Sequence, residues 1–234
     1  MKKSKYMLCY GKDVISACDA VTPRKCGDIT FMVGKKESGK STIAQLEARE
    51  ALKNTNDIVI FINPDNTMDY TYFTIKYSER VKVYNDSISE SIAAILKDAI
   101  RNDEPVRWIY IDSADNLSEN DQQRLYLLCQ MAIKKNMIIT ILLSSMKQFA
   151  TSGRYPYVMW SYIRNYIITE LDDEDEESKE KCFYMDQYQK TYQYISNSRQ
   201  WNTYENRGKY GVIVNRSTYV EEFEREKREM FAYV

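Results

Sequence analysis

The most constraining feature of the sequence is a short apolar run, Gly27 to Val33, that leads into the segment Gly34 to Ser41, which has the form G-x-x-x-x-G-K-S. The glycines allow backbone conformations that direct consecutive N–H groups at a phosphate, at the N-terminus of the helix that follows. Three of the seven glycines of the chain lie between positions 27 and 39, which argues against a chance match. We expect Lys40 to hold the β and γ phosphates of a nucleotide and Ser41 to bind Mg²⁺. The residues predicted to bind the nucleotide are Gly34, Lys35, Lys36, Glu37, Ser38, Gly39, Lys40, Ser41 and Thr42.

The overall composition excludes several kinds of binding and catalysis for this protein. With 33 basic and 34 acidic side chains the net charge is −1, so no global basic signature points to nucleic acid or to a membrane surface. Any contact with DNA must therefore be local. Histidine is absent, which excludes histidine-based catalysis, histidine metal sites and histidine pH sensing. Carboxylates and Mg²⁺ must carry the chemistry.

The cysteines and the apolar segments indicate where the protein acts. The five cysteines form no C-x-x-C pair, so neither a zinc knuckle nor a disulfide framework is predicted. The lysines near the N-terminus precede only a brief apolar patch, and no apolar run is long enough to span a bilayer. We expect a cytoplasmic protein with reduced thiols and no membrane partner.

Strand-length apolar runs alternate with helical patterns from the glycine-rich loop to about residue 143. Strands are predicted at 57–62, 81–84, 106–111 and 137–143. Helices are predicted from 42 to about 53, after Ser87 with its capping partner Glu90, and after Ser118. This alternation predicts an α/β fold with a mainly parallel, twisted sheet between two layers of helices.

The pattern changes beyond Ser144. Segments 162–171 and 190–196 have strand character on either side of the acidic run 172–177, which predicts a C-terminal β-hairpin at the edge of the sheet. The acidic run itself is typical of a solvated loop. The chain ends in a charged helix over 217–233. We predict an N-terminal extension over 1–26, one core domain over 27–200 and a C-terminal extension over 201–234.

The segment Gly27 to Thr42 resembles, without a gap, the pattern G-x-I-x-x-x-x-G-x-x-x-S-G-K-[ST]-T of the RecA family of P-loop ATPases. The resemblance includes the glycine seven residues ahead of the loop, which DnaB-type helicases and KaiC-type ATPases share. It implies a RecA-like core that binds ATP and Mg²⁺ between subunits.

The segment after the second predicted strand, Phe61 to Asp69, resembles the family's F-I-D-A-E-H-A-L-D. In this alignment Asp65 takes the place of the catalytic glutamate, which polarises the water that attacks the γ-phosphate. Aspartate is shorter by one methylene, so the water must lie closer or be held by another group, and hydrolysis is expected to be slow. The alternative interpretation is that Asn63 to Asn66 forms only a turn.

The segment Trp108 to Leu117 resembles the family's Walker B strand, which implies that Asp112 holds the Mg²⁺ shell at the carboxyl end of the sheet. The segment Met137 to Gln148 resembles the strand that ends in a polar γ-phosphate sensor. Ser144, Ser145 and Gln148 compete for that role, and each could instead cap the strand.

The loop after that strand takes the position of the family's second DNA-binding loop. It supplies cations and aromatic faces suited to single-stranded DNA, namely Lys147, Phe149, Arg154 and Tyr155. An aromatic loop folded back on the core is the alternative. The segment Tyr194 to Arg199 resembles the last core strand, which makes Arg199 the candidate arginine finger, with Arg207 and Arg216 in reserve; a solvated arginine is the alternative.

The resemblance extends over about residues 27–199, and its overall pattern is similar to small core-only phage-encoded RecA-like proteins. It implies an ATP-hydrolysing catalyst with Lys40, Asp65, Asp112 and Arg199 in the active site, acting on DNA as a ring or filament in recombination or single-strand annealing. For a viral protein the location would be the host cytoplasm. One alternative is a ring-forming DNA translocase such as a viral genome-packaging ATPase of the FtsK/HerA type. Another is a non-catalytic ATP-binding switch or scaffold.

Overall fold

The computed structural model describes residues 5–66, 68–98, 105–146, 149, 159–172, 202–207 and 210–232 of the chain. Ten strands form one mixed sheet. They are β1 (Lys5–Asp13), β2 (Asp19–Lys25), β3 (Ile29–Val33), β4 (Ile58–Ile62), β5 (Val81–Tyr84), β6 (Arg107–Ile111), β7 (Met137–Leu143), β8 (Asn165–Ile168), β9 (Asn202–Arg207) and β10 (Tyr210–Asn215). The described helices are α1 (Lys40–Asn54), α2 (Thr71–Lys76), α3 (Ile88–Asp98), α4 (Glu119–Lys134) and α5 (Ser217–Phe231), with a short 3-10 helix at Trp160–Tyr162.

The sheet has a parallel half and an antiparallel half. Its strand order is β2-β1-β10-β9-β8-β3-β7-β6-β4-β5. The six strands from β8 to β5 pair in parallel, whereas the contacts from β8 through β9, β10 and β1 to β2 are antiparallel. Because the carboxyl ends of the parallel strands meet at one edge, the loops that follow them lie together there.

Helices cover both faces of the sheet, and each face has its own apolar core. On one face α3 and α4 contribute Ile92, Ile95 and Leu128 to a cluster with alternate side chains of the central strands. On the other face α1, α2 and α5 contribute residues such as Leu46, Phe73 and Phe223. The predicted α/β class with a mainly parallel sheet between helices is confirmed.

The predicted caps are present. Ser118 and Asp121 form a capping box at the start of α4. At the start of α3 the Ser87 hydroxyl accepts the Glu90 N–H at 3.3 Å and donates to its carboxylate at 2.6 Å. These short-range patterns could be found in the sequence because both partners lie within one helical turn.

The C-terminal hairpin differs from the prediction in both residues and place. The described hairpin is formed by β9 and β10, and it lies inside the sheet between β8 and β1. The first predicted segment contains β8, which is parallel to β3, and the second lies outside the described residues. The sheet edge is instead occupied by β2, from the N-terminal segment that the sequence patterns left without a strand. No helix in the described part of the chain is long and apolar enough to cross a membrane.

Candidate nucleotide-binding site

The glycine-rich loop connects β3 to α1 at the carboxyl edge of the parallel strands. Gly39 has φ 89° as the N-cap of α1, and Glu37 adopts φ 63° inside the loop. Left-handed backbone is natural for glycine and strained for glutamate, so the loop conformation is imposed by its surroundings. The loop therefore has the strand, turn and helix order that a phosphate-binding loop requires.

The residues that follow β8 hold this loop in place. The Thr169 hydroxyl lies 2.6 Å from the Ser38 hydroxyl, and the Glu170 carbonyl accepts the Lys35 N–H at 2.7 Å. The Glu170 carboxylate also accepts a 2.5 Å hydrogen bond from the Lys35 ammonium. A Cβ at Gly34 would lie only 1.7 Å from the Thr169 hydroxyl oxygen, so glycine is needed there for close approach. We call Thr169 and Glu170 the β8 clamp.

Lys40 is buried at the start of α1 with its ammonium turned back across the loop. Its Nζ donates to the carbonyl oxygens of Gly34 at 2.5 Å and Lys35 at 2.9 Å. Burial lowers the pKa of Lys40, while the negative charges of Asp115 and Asp112 oppose that effect. The cation is thus held at the centre of the loop beside two carboxylates.

Ser41, in the first turn of α1, meets Asp112, the residue after β6. The Ser41 hydroxyl donates to Asp112 Oδ2 at 3.0 Å, and the Ser113 N–H donates to Asp112 Oδ1 at 2.9 Å. Burial raises the pKa of Asp112, opposed by these two hydrogen bonds and by the charge of Lys40. Hydroxyl and carboxylate oxygens suit Mg²⁺, which proteins commonly bind through one or two such groups together with substrate phosphates. The two residues therefore fit the predicted ion.

Asp115 is held at the same edge of the sheet by the residues that follow β7. Its Oδ1 accepts the backbone N–H groups of Ser144 at 2.5 Å and Ser145 at 3.1 Å, just beyond the end of β7. Sequence reasoning named Asp115, like Glu37, only as a fallback for the catalytic carboxylate in case Asp65 does not fill that role. The signal was a carboxylate three residues after the Walker B aspartate, but only the path of the chain shows that it turns towards β7.

Asp65 lies in an exposed turn after β4. The Asn66 N–H donates to the Asn63 carbonyl at 3.0 Å, and the Asn63 side chain donates to the Met68 carbonyl at 3.1 Å. The turn proposed as the alternative interpretation of this segment is present. The catalytic role of Asp65 stays a prediction.

The other predicted nucleotide ligands differ in exposure. Lys36 and Glu37 are exposed, whereas Thr42 is partly buried in the first turn of α1. We therefore expect the backbone of the loop, and not the side chains of Lys36 and Glu37, to contact the phosphates.

The structure corrects two of the predicted contacts. Phe149 is fully buried and packs edge-on against Phe31 at a ring distance of 5.2 Å, so it offers no face for a base to stack on. Arg216 is also fully buried, in an ion pair with Glu205, and cannot reach a neighbouring subunit. Of the remaining predicted DNA and finger residues, the reserve finger Arg207 is the last residue of β9. The others lie outside the described residues: Lys147, Arg154, Tyr155 and Arg199, together with the sensor candidate Gln148.

Comparison with solved structures defines the class of the fold. The chain is similar to the cytoplasmic domain of the Thermomonospora curvata type VII secretion ATPase EccC, with a TM-score of 0.65 and 12% identity over 90% of this chain and 26% of that chain. It is also similar to a protein described only as an ATPase (TM-score 0.58, 9% identity, 89% and 86% covered). A third is the pCW3 conjugation coupling protein TcpA, solved with ATPγS (TM-score 0.58, 10% identity, 90% and 65% covered).

The chain therefore has the α/β fold of P-loop ATPase domains. It spans about a quarter of the EccC chain that it matches. No protein-family model and no curated protein matches the sequence.

Proposed function

We propose that this protein binds ATP with Mg²⁺ in the loop between β3 and α1 and hydrolyses it. The observation that carries the proposal is the 3.0 Å hydrogen bond between Ser41 and Asp112 beside the buried Lys40. Two residues 71 positions apart meet at the one edge where a phosphate-binding loop needs both of them. The similarity of the fold to ATPase domains supports the same activity.

The roles of the site residues follow from their positions. The backbone N–H groups of the loop and the N-terminus of α1 would bind the phosphates of ATP, and the Lys40 ammonium would move from the loop carbonyls to the β and γ phosphate oxygens. Ser41 and Asp112 would hold Mg²⁺, which supplies positive charge to the phosphate oxygens when bound. The β8 clamp would hold the loop in place, because Thr169 contacts Ser38 and packs closely against Gly34.

We propose that the protein uses the energy of ATP hydrolysis to act on DNA. Two modes follow from the sequence: a RecA-like filament or ring in recombination or annealing, and a ring translocase such as a viral packaging ATPase. The likeness to TcpA, a conjugation coupling protein, supports the translocase mode. Lys147, Arg154 and Tyr155 remain the proposed DNA contacts and Arg199 the proposed finger across the subunit interface.

The test is ATP turnover by the purified chain in the absence and presence of single-stranded and double-stranded DNA. We expect Mg²⁺-dependent hydrolysis that DNA stimulates. Nucleotide binding without turnover would favour the switch or scaffold alternative. Turnover that ignores DNA, together with no DNA binding, would contradict the DNA-directed part of the proposal. Electron microscopy then separates filaments on single-stranded DNA from closed rings.

A further inference from the structure

The carboxyl end of β7 is shared by the phosphate-binding loop and by the loop that follows β6. The Gly34 N–H donates to the Leu143 carbonyl at 3.1 Å, and the Ala114 N–H donates to the Leu142 carbonyl at 3.3 Å. The two loops thus meet over adjacent residues of one strand. Asp115, one residue beyond Ala114, therefore lies at the same strand end to which the first glycine of the phosphate-binding loop is bonded.

Asp115 is held rigidly by one of its two oxygens. The N–H groups of Ser144 and Ser145 both donate to Oδ1, at 2.5 and 3.1 Å. Such charge-assisted bonds fix the orientation of the carboxylate. None of the residues that the structure describes donates a hydrogen bond to Oδ2, so this oxygen is free to accept one from a ligand or a water molecule.

The charge of Asp115 acts on the centre of the site. Of the two carboxylates that favour the charged form of Lys40, Asp115 has the larger effect, ahead of Asp112. Asp115 also raises the pKa of Asp112. The negative charge of Asp115 therefore acts in the same direction as that of Asp112 on the cation that is expected to hold the γ-phosphate.

The other carboxylates near the loop are less well placed than Asp115 to contact a water molecule at the γ-phosphate. Neighbouring strands are about 4.8 Å apart, so β4, which precedes Asp65, lies about 14 Å from β3 across the sheet, whereas Asp115 is anchored to β7, the immediate neighbour of β3. Asp65 is exposed. Glu37 is exposed on the outside of the loop. The residue after Asp112 is Ser113, which has no carboxylate.

We propose that Asp115 is a catalytic residue of the ATPase, the carboxylate that orients the attacking water, in place of Asp65. The proposal rests on the proposed ATP hydrolysis. Oδ2 of Asp115 would accept a hydrogen bond from the water, whose oxygen forms a bond to the γ-phosphorus. The bond between that phosphorus and the oxygen of the ADP leaving group breaks, and its electron pair leaves with ADP. The water protons end on the released phosphate and on bulk water.

The decisive experiment compares Asp115→Asn with Asp65→Asn. An asparagine side-chain oxygen can still accept hydrogen bonds from the N–H groups of Ser144 and Ser145. Asp115→Asn therefore removes the charge and keeps these two hydrogen bonds. We expect turnover to fall by about 100-fold or more, the usual contribution of such a group. We expect ATP affinity, measured with a fluorescent ATP analogue, to change by less than about 3-fold, because the role is exerted in the transition state. The melting temperature should stay unchanged. If Asp115 orients the water, Asp65→Asn should lose much less turnover than Asp115→Asn.

The outcomes distinguish the two proposals. Absence of ATP hydrolysis by the wild-type chain would contradict the ATPase proposal itself. If the wild-type chain hydrolyses ATP and Asp115→Asn does so equally fast, only the role of Asp115 is contradicted. If turnover is lost in Asp65→Asn alone, Asp65 is the catalytic carboxylate. A fall in turnover accompanied by an equal loss of ATP binding or by a lower melting temperature would show that Asp115 is structural. Asp115→Ala, which removes the anchor as well, is the control for that structural effect.

Discussion

The two halves of the sheet differ in the residues that they bury. In the parallel half β3, β6 and β7 are buried along their entire lengths, as expected for strands covered by helices on both faces. In the antiparallel half β2 alternates between exposed and buried residues, and charged side chains lie in the interior. The candidate nucleotide-binding site lies in the parallel half, beside these buried strands.

Buried ion pairs connect the antiparallel half to the helix that follows the phosphate-binding loop. Glu47 of α1 accepts hydrogen bonds from Arg24 Nε at 2.8 Å and from the Tyr10 hydroxyl at 3.0 Å. Arg216 pairs with Glu205, and its guanidinium lies over the Tyr10 ring at 4.7 Å. Apolar packing tolerates small shifts, whereas a buried ion pair holds only in one arrangement. We infer that packing builds the site and that the ion pairs determine how the antiparallel half is attached to it.

The largest expected effect tests that attachment. Glu47→Leu leaves the Arg24 guanidinium buried without its partner, so we expect a loss of about 3–5 kcal/mol in the free energy of unfolding. Denaturant unfolding measures it. The double variant Arg24→Met with Glu47→Leu removes both charges and should recover most of the loss. A single variant that costs less than about 1 kcal/mol would contradict a dry ion pair.

The next effect concerns function in the parallel half. Lys40→Ala removes the cation expected to bind the β and γ phosphates, so we expect turnover to fall by about 10²–10³-fold, as for other charge-stabilising donors. The free energy of unfolding should change far less than in Glu47→Leu. Lys36→Ala, which removes an exposed cation of the same loop, is the matched control and should keep most of the activity. Equal losses in both variants would mean that the loop binds phosphate only through its overall charge.

A smaller effect tests the β8 clamp at the boundary between the halves. Thr169→Val keeps the shape of the side chain and removes the hydroxyl that contacts Ser38, so we expect a loss of about 1 kcal/mol, or roughly fivefold in ATP affinity. Titration with a fluorescent ATP analogue measures it. Thr169→Ser keeps the hydroxyl and should bind ATP as the wild-type chain does. Unchanged affinity in Thr169→Val would mean that the clamp does not support the loop.

The smallest effect concerns the ion pairs near the surface that join α1 to α5. Although partial burial raises it, hydrogen bonds from Arg49, Lys53 and Tyr72 lower the pKa of Glu226 below its usual value. Its contribution to stability is therefore present above the pKa of the unfolded chain, about 4.3, and is lost as the pH falls through the lower pKa of the folded state. We expect Glu226→Gln to reduce stability at pH 7 by about 1 kcal/mol or less and to weaken its pH dependence below pH 5. Unfolding curves at pH 7 and pH 4 test this, and equal pH dependence in both proteins would contradict it.

The elements that could be predicted from the sequence are those that depend on interactions within a short segment. The loop from Gly34 to Ser41, the apolar strands and the capping boxes depend on neighbours a few residues apart. The hairpin of β9 and β10 could not be placed, because its position between β8 and β1 depends on pairings with distant strands. The sequence could not decide between DNA contact and packing on the core for Phe149 for the same reason, since its partner Phe31 is more than 100 residues away.

The sequence by itself determined the phosphate-binding loop, the aspartate at the end of β6 and the α/β class, because each depends on local backbone preference and apolar periodicity. Only the tertiary structure decided which side chains share the site. Asp112 reaches Ser41 and Asp115 reaches the end of β7 because parallel strands bring their carboxyl ends to one edge. The same is true of the ion pairs around Glu47, whose partners come from strands that no local pattern indicated. Contacts across the sheet depend on strand order, and strand order is set by the packing of the whole chain.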